Sequence, residues 1–380
     1  MAGYIFTLNH MNSLKKIIKN GIYSTNLSEP KNNLWKIHHE GTFTDYLSMK
    51  EGDNVYFFIK RKIYGIGELI NLNFDCKFLN YPTADIPKKP LYKDVKNELL
   101  LNETELSINN RCICTFKPSP RFFENGIDMD DVLSSNPERF RMLRAFWKVS
   151  FIKIDDEENK ALIDIILKRN EVHLTGSKGS FEFDSSFQDS LKYKLSKKYK
   201  LVSNNILNYC SKGDYIRHEM AIESYIADIV SNSKNNIFGH WDYVSHQVVA
   251  SPFKPIDYMD KMDIFGYRYI EGFDTISRYL LIEIKKDKAT FEAVDQVMKY
   301  VDWINQEYAH GDYSMINAFI VAYDFPEKVI EYKNNICKRN YIRGRRPTVS
   351  DEWANVRLIK YKYDVISSSL VFEDVEEKMV

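Results

Sequence analysis

The stretch Leu280-Leu281-Ile282-Glu283-Ile284-Lys285 constrains this chain more than any other. Leu280, Ile282 and Ile284 alternate with Leu281, Glu283 and Lys285, so as a strand it has one wholly apolar face. The other face carries a carboxylate and an amine two residues apart, inside a hydrophobic run. Charges in such a setting are costly unless they are paired or hold a metal. Asp263 repeats the anomaly, flanked by Met262, Ile264 and Phe265. Glycine and polar residues between Tyr269 and Ser277 allow a tight return, which predicts hairpin neighbours with Asp263 beside Glu283. Two carboxylates and a lysine on adjacent strand ends suit Mg²⁺, a hard cation that takes oxygen ligands and keeps several waters. Such an ion makes a bound water a better nucleophile and neutralises charge on a phosphodiester. A nearby lysine can orient that water or stabilise the developing negative charge. A surface strand with a solvated Glu/Lys pair is the plainer alternative for the tripeptide alone.

Asp263…Glu283-Ile284-Lys285 resembles the PD-(D/E)XK nuclease signature, although Met262 stands where the signature often has proline. Gln296-Val297-Met298-Lys299-Tyr300 is similar to the Q-x-x-x-Y element of the RecB-like branch of that family. The longer run from Leu281 through Lys286, and from Val294 to Trp303, is most similar to the C-terminal domain of NucS-type mismatch endonucleases. The resemblance covers residues 213–380. It implies a restriction-endonuclease-like mixed sheet flanked by helices, cutting nucleic acid with Mg²⁺, or with Mn²⁺ in its place. Asp263 and Glu283 are the implied metal ligands, Lys285 the residue assisting the water or the transition state, and Gln296 a positioning residue. The family also places an acid on the first helix of the domain. His218–Ile226 resembles that helix, with Glu223 the better match and Glu219 on the same line through Ile226 and Val230. Relatives often need two active sites to cut both strands, which implies a homodimer.

Residues 1–170 are expected to form a separate domain. Tyr4–Leu8 reads as a strand, and Asn12 or Ser13 as the cap of a helix ending near Gly21. Val55–Ile59, Ile63–Ile70, Cys112–Phe116 and Trp147–Ile154 follow as strands, with helices near Pro137–Arg144 and over Glu157–Arg169. Glycines alternating at Gly65 and Gly67 leave one side of a strand bare for close approach. This order resembles PUA-like domains of the EVE and YTH type, carried by Gly21–Thr25, Gly52–Tyr56, Ile63–Gly67 and Phe146–Phe151. The resemblance implies a β-barrel with helices that binds a modified base in an aromatic pocket. Tyr23, Trp35 and Trp147 are the pocket candidates, with a place in the core as the alternative for each. Stacking on such rings is worth about 1–3 kcal/mol per base.

Residues 171–212 are expected to form a basic connector, in which Lys197 and Lys198 track phosphates or simply face solvent. From Gly213 a helix capped by Asp214 is expected to run to about Val230 on a stripe of Ile222, Ile226, Ile229 and Val230. Ala318–Ala322 reads as a buried strand, Pro326–Lys338 as a helix and Val356–Tyr363 as the last strand. Arg343, Arg345 and Arg346 form a basic loop that grips phosphates or has no specific role. With 53 basic against 53 acidic residues, no global field attracts nucleic acid, and any positive surface is local. Five cysteines, of which only Cys112 and Cys114 are close, give neither a metal knuckle nor an even disulfide set, which points to a reduced cytoplasm. No apolar run reaches the length of a membrane span.

The expected whole is an α/β chain of the α+β kind with two domains. Its expected function is a Mg²⁺-dependent endonuclease acting on DNA, modified or plain. Modification-dependent restriction in microbial defence is the leading role. Structure- or mismatch-specific repair and a non-catalytic nucleic-acid-binding module are the alternatives.

Overall fold

The computed structural model describes residues 1–27, 31–32, 34–80, 111–140, 151–176, 178–194, 200–232, 236–250 and 260–375. The chain divides into two compact units, residues 1–35 with 45–202 and residues 36–44 with 203–380. The connector span contains a helix in each: Ser186–Lys194 in the first and Asn204–Cys210 in the second.

The first unit holds strands β1 (Gly3–Thr7), β2 (Ile22–Asn26), β3 (Asn54–Ile59), β4 (Lys62–Leu69), β5 (Lys77–Asn80), β6 (Arg111–Pro118), β7 (Ile127–Asp128) and β8 (Phe151–Ile154). They form one sheet in the order β2-β6-β4-β3-β1-β8, with β5 on β6 and β7 on β4. Only β1 and β3 run parallel among its described pairs. The first helix, Met11–Asn20, is preceded by His10 rather than capped by Asn12 or Ser13. It ends at Gly21 in the left-handed region (φ 61°), whose N–H returns to the Ile17 and Ile18 carbonyls. A Cβ at Gly21 would lie 2.2 Å from the Phe116 carbonyl oxygen, so only glycine fits both demands. At Gly65 the bare side is filled by Tyr56, whose ring would be 2.7 Å from an added Cβ.

Helix Asp156–Arg169 starts in a complete capping box made by Asp155 and Glu158. Its Leu162, Ile165 and Ile166 share a core with Ile5, Tyr56, Ile63, Ile66 and Phe123. A helix not expected from sequence runs over Met129–Ser135, where the Asp128 carboxylate accepts the Asp130 N–H as its cap. Residues 137–139 form a turn, and 141–150 lie outside the described residues.

The second unit adds β9 (Ser211–Lys212), β10 (Tyr215–Ile216), β11 (Tyr243–Val249), β12 (Lys261–Tyr269), β13 (Ile276–Lys288), β14 (Ile316–Asp324), β15 (Arg339–Arg345), β16 (Thr348–Trp353), β17 (Val356–Asp364) and β18 (Ser369–Asp374). Six of them make a mixed sheet in the order β11-β12-β13-β14-β17-β18, in which β13, β14 and β17 run parallel. Central parallel strands are covered on both faces. Accordingly Leu280–Ile284 and Ala318–Ala322 are buried throughout. Helix Phe291–Glu307 buries Val294, Val297, Val301 and Ile304. Helix Glu219–Asn232 buries Ile222, Ile226 and Val230, while Ile229 is half-buried.

The fold is α+β, as expected from sequence. Three local expectations fail in the second unit. Asp214 caps no helix: Gly213, at φ 64°, and Asp214 form the two-residue turn of the β9–β10 hairpin, and the helix begins at Glu219. Val356–Asp364 is not the last strand, since β18 pairs beside it. The arginine-rich segment is a two-stranded ribbon, β15–β16, rather than a loop. All five cysteines are free and buried. Among the described residues, no helix is long and apolar enough to cross a membrane.

The sheet centre sets a stability expectation. Ile320 on β14 has no solvent exposure, so Ile320→Ala should cost about 2–5 kcal/mol. Val365 is 58% exposed, and Val365→Ala should stay within about 0.5 kcal/mol of the wild type. Urea unfolding of both variants measures the contrast.

Candidate active site

Strands β12 and β13 are antiparallel, with Ile264 opposite Ile282 as the last bridged pair toward the acids. Beyond that pair the ladder stops, and the Asp263 carboxylate takes over. Its Oδ2 accepts the Ile284 N–H at 2.8 Å. Asp263 is thereby fixed across from Glu283 at the point where a backbone bond is missing. On β13, alternation puts Glu283 and Lys285 on one face. Lys285 Nζ donates to Glu283 Oε1 at 2.6 Å. Glu283 has no solvent exposure, and its second oxygen, Oε2, has no hydrogen-bond partner.

Two further acids come from helix Glu219–Asn232, where i,i+4 spacing stacks them on one face. Glu219 Oε2 accepts the Lys286 N–H at 3.0 Å. Glu223 is buried, and its Oε1 lies 2.9 Å from His246 Nδ1. The sequence reading weighed these acids as alternatives, and both reach the strand ends.

His246 and Gln247 were missed by sequence reasoning, as was the strand β11 that carries them. The Gln247 side-chain nitrogen lies 3.3 Å from Glu223 Oε2 and 3.3 Å from Asp263 Oδ1, so one amide bridges both carboxylates. Gln247 sits at φ 51°, between the register pairs His246–Ile264 and Val248–Met262. A left-handed non-glycine residue costs about 1–3 kcal/mol and marks a functional constraint more often than chance. The available sequence signal was a polar pair interrupting Tyr243-Val244-Ser245…Val248-Val249.

Gln296 does not touch the carboxylates. Its side-chain nitrogen donates to Tyr300 Oη at 2.8 Å, and Tyr300 Oη donates to the Lys261 carbonyl at 2.8 Å. The pair therefore anchors β12 two residues before Asp263.

The electrostatics are those of too many acids in too little water. Burial raises Asp263 well above the ordinary carboxylate range, and the charges of Glu283 and Glu223 raise it further, against the Ile284 N–H and Lys285. Burial pushes Glu283 up to about 7, partly offset by Lys285, with Glu219 and Glu223 adding to the rise. Burial pulls the Lys285 ammonium down, but Glu283, Asp263 and Glu219 together hold it above its usual value. Among the described residues, no three His, Cys, Asp or Glu side chains gather in metal-holding geometry. Mg²⁺ does not need such a cage, since one or two carboxylates plus waters and a substrate phosphate suffice. The bare Glu283 Oε2 beside Asp263 fits that demand, with Glu223 held behind by Gln247 and His246.

The remaining sequence candidates lie elsewhere. Tyr23 is buried with its ring 4.1 Å from that of Phe6, and it also meets Phe57, as a core residue does. Burial raises its hydroxyl to about 12. Trp35 is buried too. Trp147, Lys197 and Lys198 lie outside the described residues. Arg343 and Arg346 are exposed at the end of the β15–β16 ribbon, where Arg345 closes β15.

No family model matches the chain, and comparison with curated proteins gave no match. Among solved structures, a repair endonuclease from Pyrococcus abyssi is 25% identical over 22% of this chain and 32% of its own, with a TM-score of 0.17. The alignment thus spans about a third of that relative's length. A complex of EndoMS with double-stranded DNA is 17% identical over 36% of this chain and 43% of its own, with a TM-score of 0.20. A hypothetical protein from Leishmania major is 13% identical over 46% of this chain and 96% of its own, with a TM-score of 0.29.

The raised Glu283 gives a pH signature. Its folded value of about 7 lies above its ordinary 4.5, so between these the native state binds more protons than the unfolded chain. Stability of the metal-free protein should therefore fall as pH rises through that window. Glu283→Gln should reduce the fall. Urea midpoints at pH 5 and pH 7.5 in EDTA measure it, and equal pH slopes for the two proteins would contradict the assignment.

Proposed function

We propose that this protein is a metal-dependent endonuclease of the PD-(D/E)XK class that cuts DNA. The observation that carries the reading is the solvent-free Glu283, with one oxygen on Lys285 and the other bare, alongside Asp263. Glu219, Glu223, Asp263 and Glu283 converge at the strand ends, where Lys285 pairs with Glu283 and His246 with Glu223, and an added cation would relieve the remaining crowding of acids. Asp263 and Glu283, with Glu223 supporting, would hold Mg²⁺ or Mn²⁺. When bound, such an ion supplies an activated water and neutralises phosphate charge.

The chain's own residues do the rest. Lys285 keeps its proton under the field of the acids, and its ammonium can stabilise charge developing on a phosphate oxygen. It is half-buried, so it reaches the solvent side of the site as well as Glu283. Gln247 spaces Glu223 and Asp263. Gln296 and Tyr300 fix the strand that carries Asp263.

The wider role we propose is restriction of modified DNA, with the first unit as the reader. The sequence likeness of that unit to PUA-like domains supports this. Cutting both strands with one site per chain asks for two copies, so a homodimer belongs to the same proposal.

Supercoiled plasmid and modified or plain phage DNA, incubated with Mg²⁺ or Mn²⁺, provide the test. Asp263→Asn and Glu283→Gln should abolish cleavage while the proteins stay folded. Lys285→Met should slow it on the order of 10²–10³-fold. Wild-type rates in any folded variant would remove the proposed site. Equal cutting of modified and plain DNA would favour the repair reading, and no cutting at all the binding-module reading.

A further inference from the structure

The ribbon β15–β16 is a sheet of its own, separate from the six-stranded sheet. Its base is fixed firmly. Arg339 grips Asp302 of helix Phe291–Glu307 through two bonds of 2.8 and 2.9 Å. The Trp353 indole N–H donates to the Ile316 carbonyl at 3.0 Å. Tyr313 packs against both Tyr341 and Trp353. Arg339 is thus spent on anchoring.

The outer part has a different character. Toward the tip, Ile342 to Ser350 reads Ile-Arg-Gly-Arg-Arg-Pro-Thr-Val-Ser, three arginines and no acid, with Asp351 and Glu352 following toward the base, in a chain whose charges balance overall. The register shifts between Ile342 and Gly344, which makes Arg343 the extra residue of a bulge. Bulges increase local twist and re-aim a side chain. Arg343 is 74% exposed, and its contact with Asp351, at 3.6 Å, is an open surface pair of the kind that contributes little. Arg346 is exposed in the two-residue turn that closes the ribbon. Ile342 and Val349 are exposed as well.

We propose that this ribbon enters the major groove of duplex DNA, with Arg343 and Arg346 on the phosphates that border it. Charge complementarity favours a polyanion. The B-form major groove, about 12 Å wide, admits a two-stranded ribbon, whereas the major groove of duplex RNA is too deep and narrow for side chains to read. The ribbon therefore selects DNA over RNA duplexes. Its anchor on Ile316 lies four residues from Ile320, the register partner of Glu283. That is about 13 Å along the strand between the ribbon's base and the level of Glu283. The inference deepens the nuclease reading by naming a B-form duplex as the substrate, but ribbon binding itself needs no cleavage.

The experiment uses the full chain in EDTA, with labelled 30-base-pair DNA and RNA duplexes of one sequence, titrated at several salt concentrations. Arg343→Ala/Arg346→Ala should lower the slope of log affinity against log salt on DNA by about 1.8, or about 0.9 per lost phosphate contact. The same variant should leave RNA binding unchanged, and Arg343→Lys/Arg346→Lys should keep the slope on DNA. An unchanged DNA slope overturns the proposal, as does an equal loss on DNA and RNA. A double alanine variant that changes sedimentation from that of the wild type would instead make the ribbon a contact between copies. A protein that loses DNA affinity with the ribbon arginines but never cuts DNA would sink the nuclease reading and leave the ribbon standing.

Discussion

Everything at the strand ends depends on one carboxylate kept out of water. Glu283 sits on the central strand of a sheet covered on both sides, where an ionised group is expensive unless something compensates it. Lys285 compensates one oxygen and leaves the other bare. The fold does not resolve this tension internally: the nearby Asp263, Glu219 and Glu223 add negative charge. A site of this kind is stable only as a compromise, with protons retained near neutral pH or a cation taken up. Function and instability then share a cause, as sites that do chemistry often cost the fold something.

The surrounding elements serve to hold that compromise in place. The β12–β13 ladder ends one residue short of the acids, and Asp263 fills the missing backbone bond with its own side chain. Helix Glu219–Asn232 brings two carboxylates one turn apart, and one of them ties down the backbone just past Lys285. Gln247 bridges Glu223 and Asp263 from a left-handed position on the edge strand. Tyr300 pins Lys261, upstream of Asp263, and Gln296 orients Tyr300. Backbone and amide groups thus set Asp263 and Glu219, while Glu283 and Glu223 also rest on the titratable Lys285 and His246.

Much of this could be seen in the sequence because it obeys periodicity. Alternation around Glu283 showed the strand and its anomalous face, and the glycine-containing return before Ser277 gave the pairing with Asp263. Helical spacing from Val230 through Ile226 pointed at Glu223. What stayed hidden depends on contacts between segments far apart in the chain. His246 and Gln247 look like two polar residues spoiling a strand until Glu223 and Asp263 are beside them. Asp214 reads equally well as a helix cap and as a turn, and the pairing of Lys212 with Tyr215 decides for the turn. An arginine-rich stretch with a glycine and a proline reads as a loop, and only the anchors on Asp302 and Ile316 make it a ribbon. Tyr23 shows the opposite limit: nothing local distinguishes a ring that stacks on a base from one that stacks on Phe6.

The central claim is that the bare oxygen of Glu283 waits for a cation. Calorimetric titration of Mn²⁺ and Mg²⁺ into the nucleic-acid-free protein, near pH 7 in two buffers of different ionisation enthalpy, tests it without any substrate. Because metal binding needs deprotonated ligands, the account predicts binding accompanied by net proton release, lost in Glu283→Gln. No binding, or equal affinity in that variant with no proton released by either protein, would contradict it.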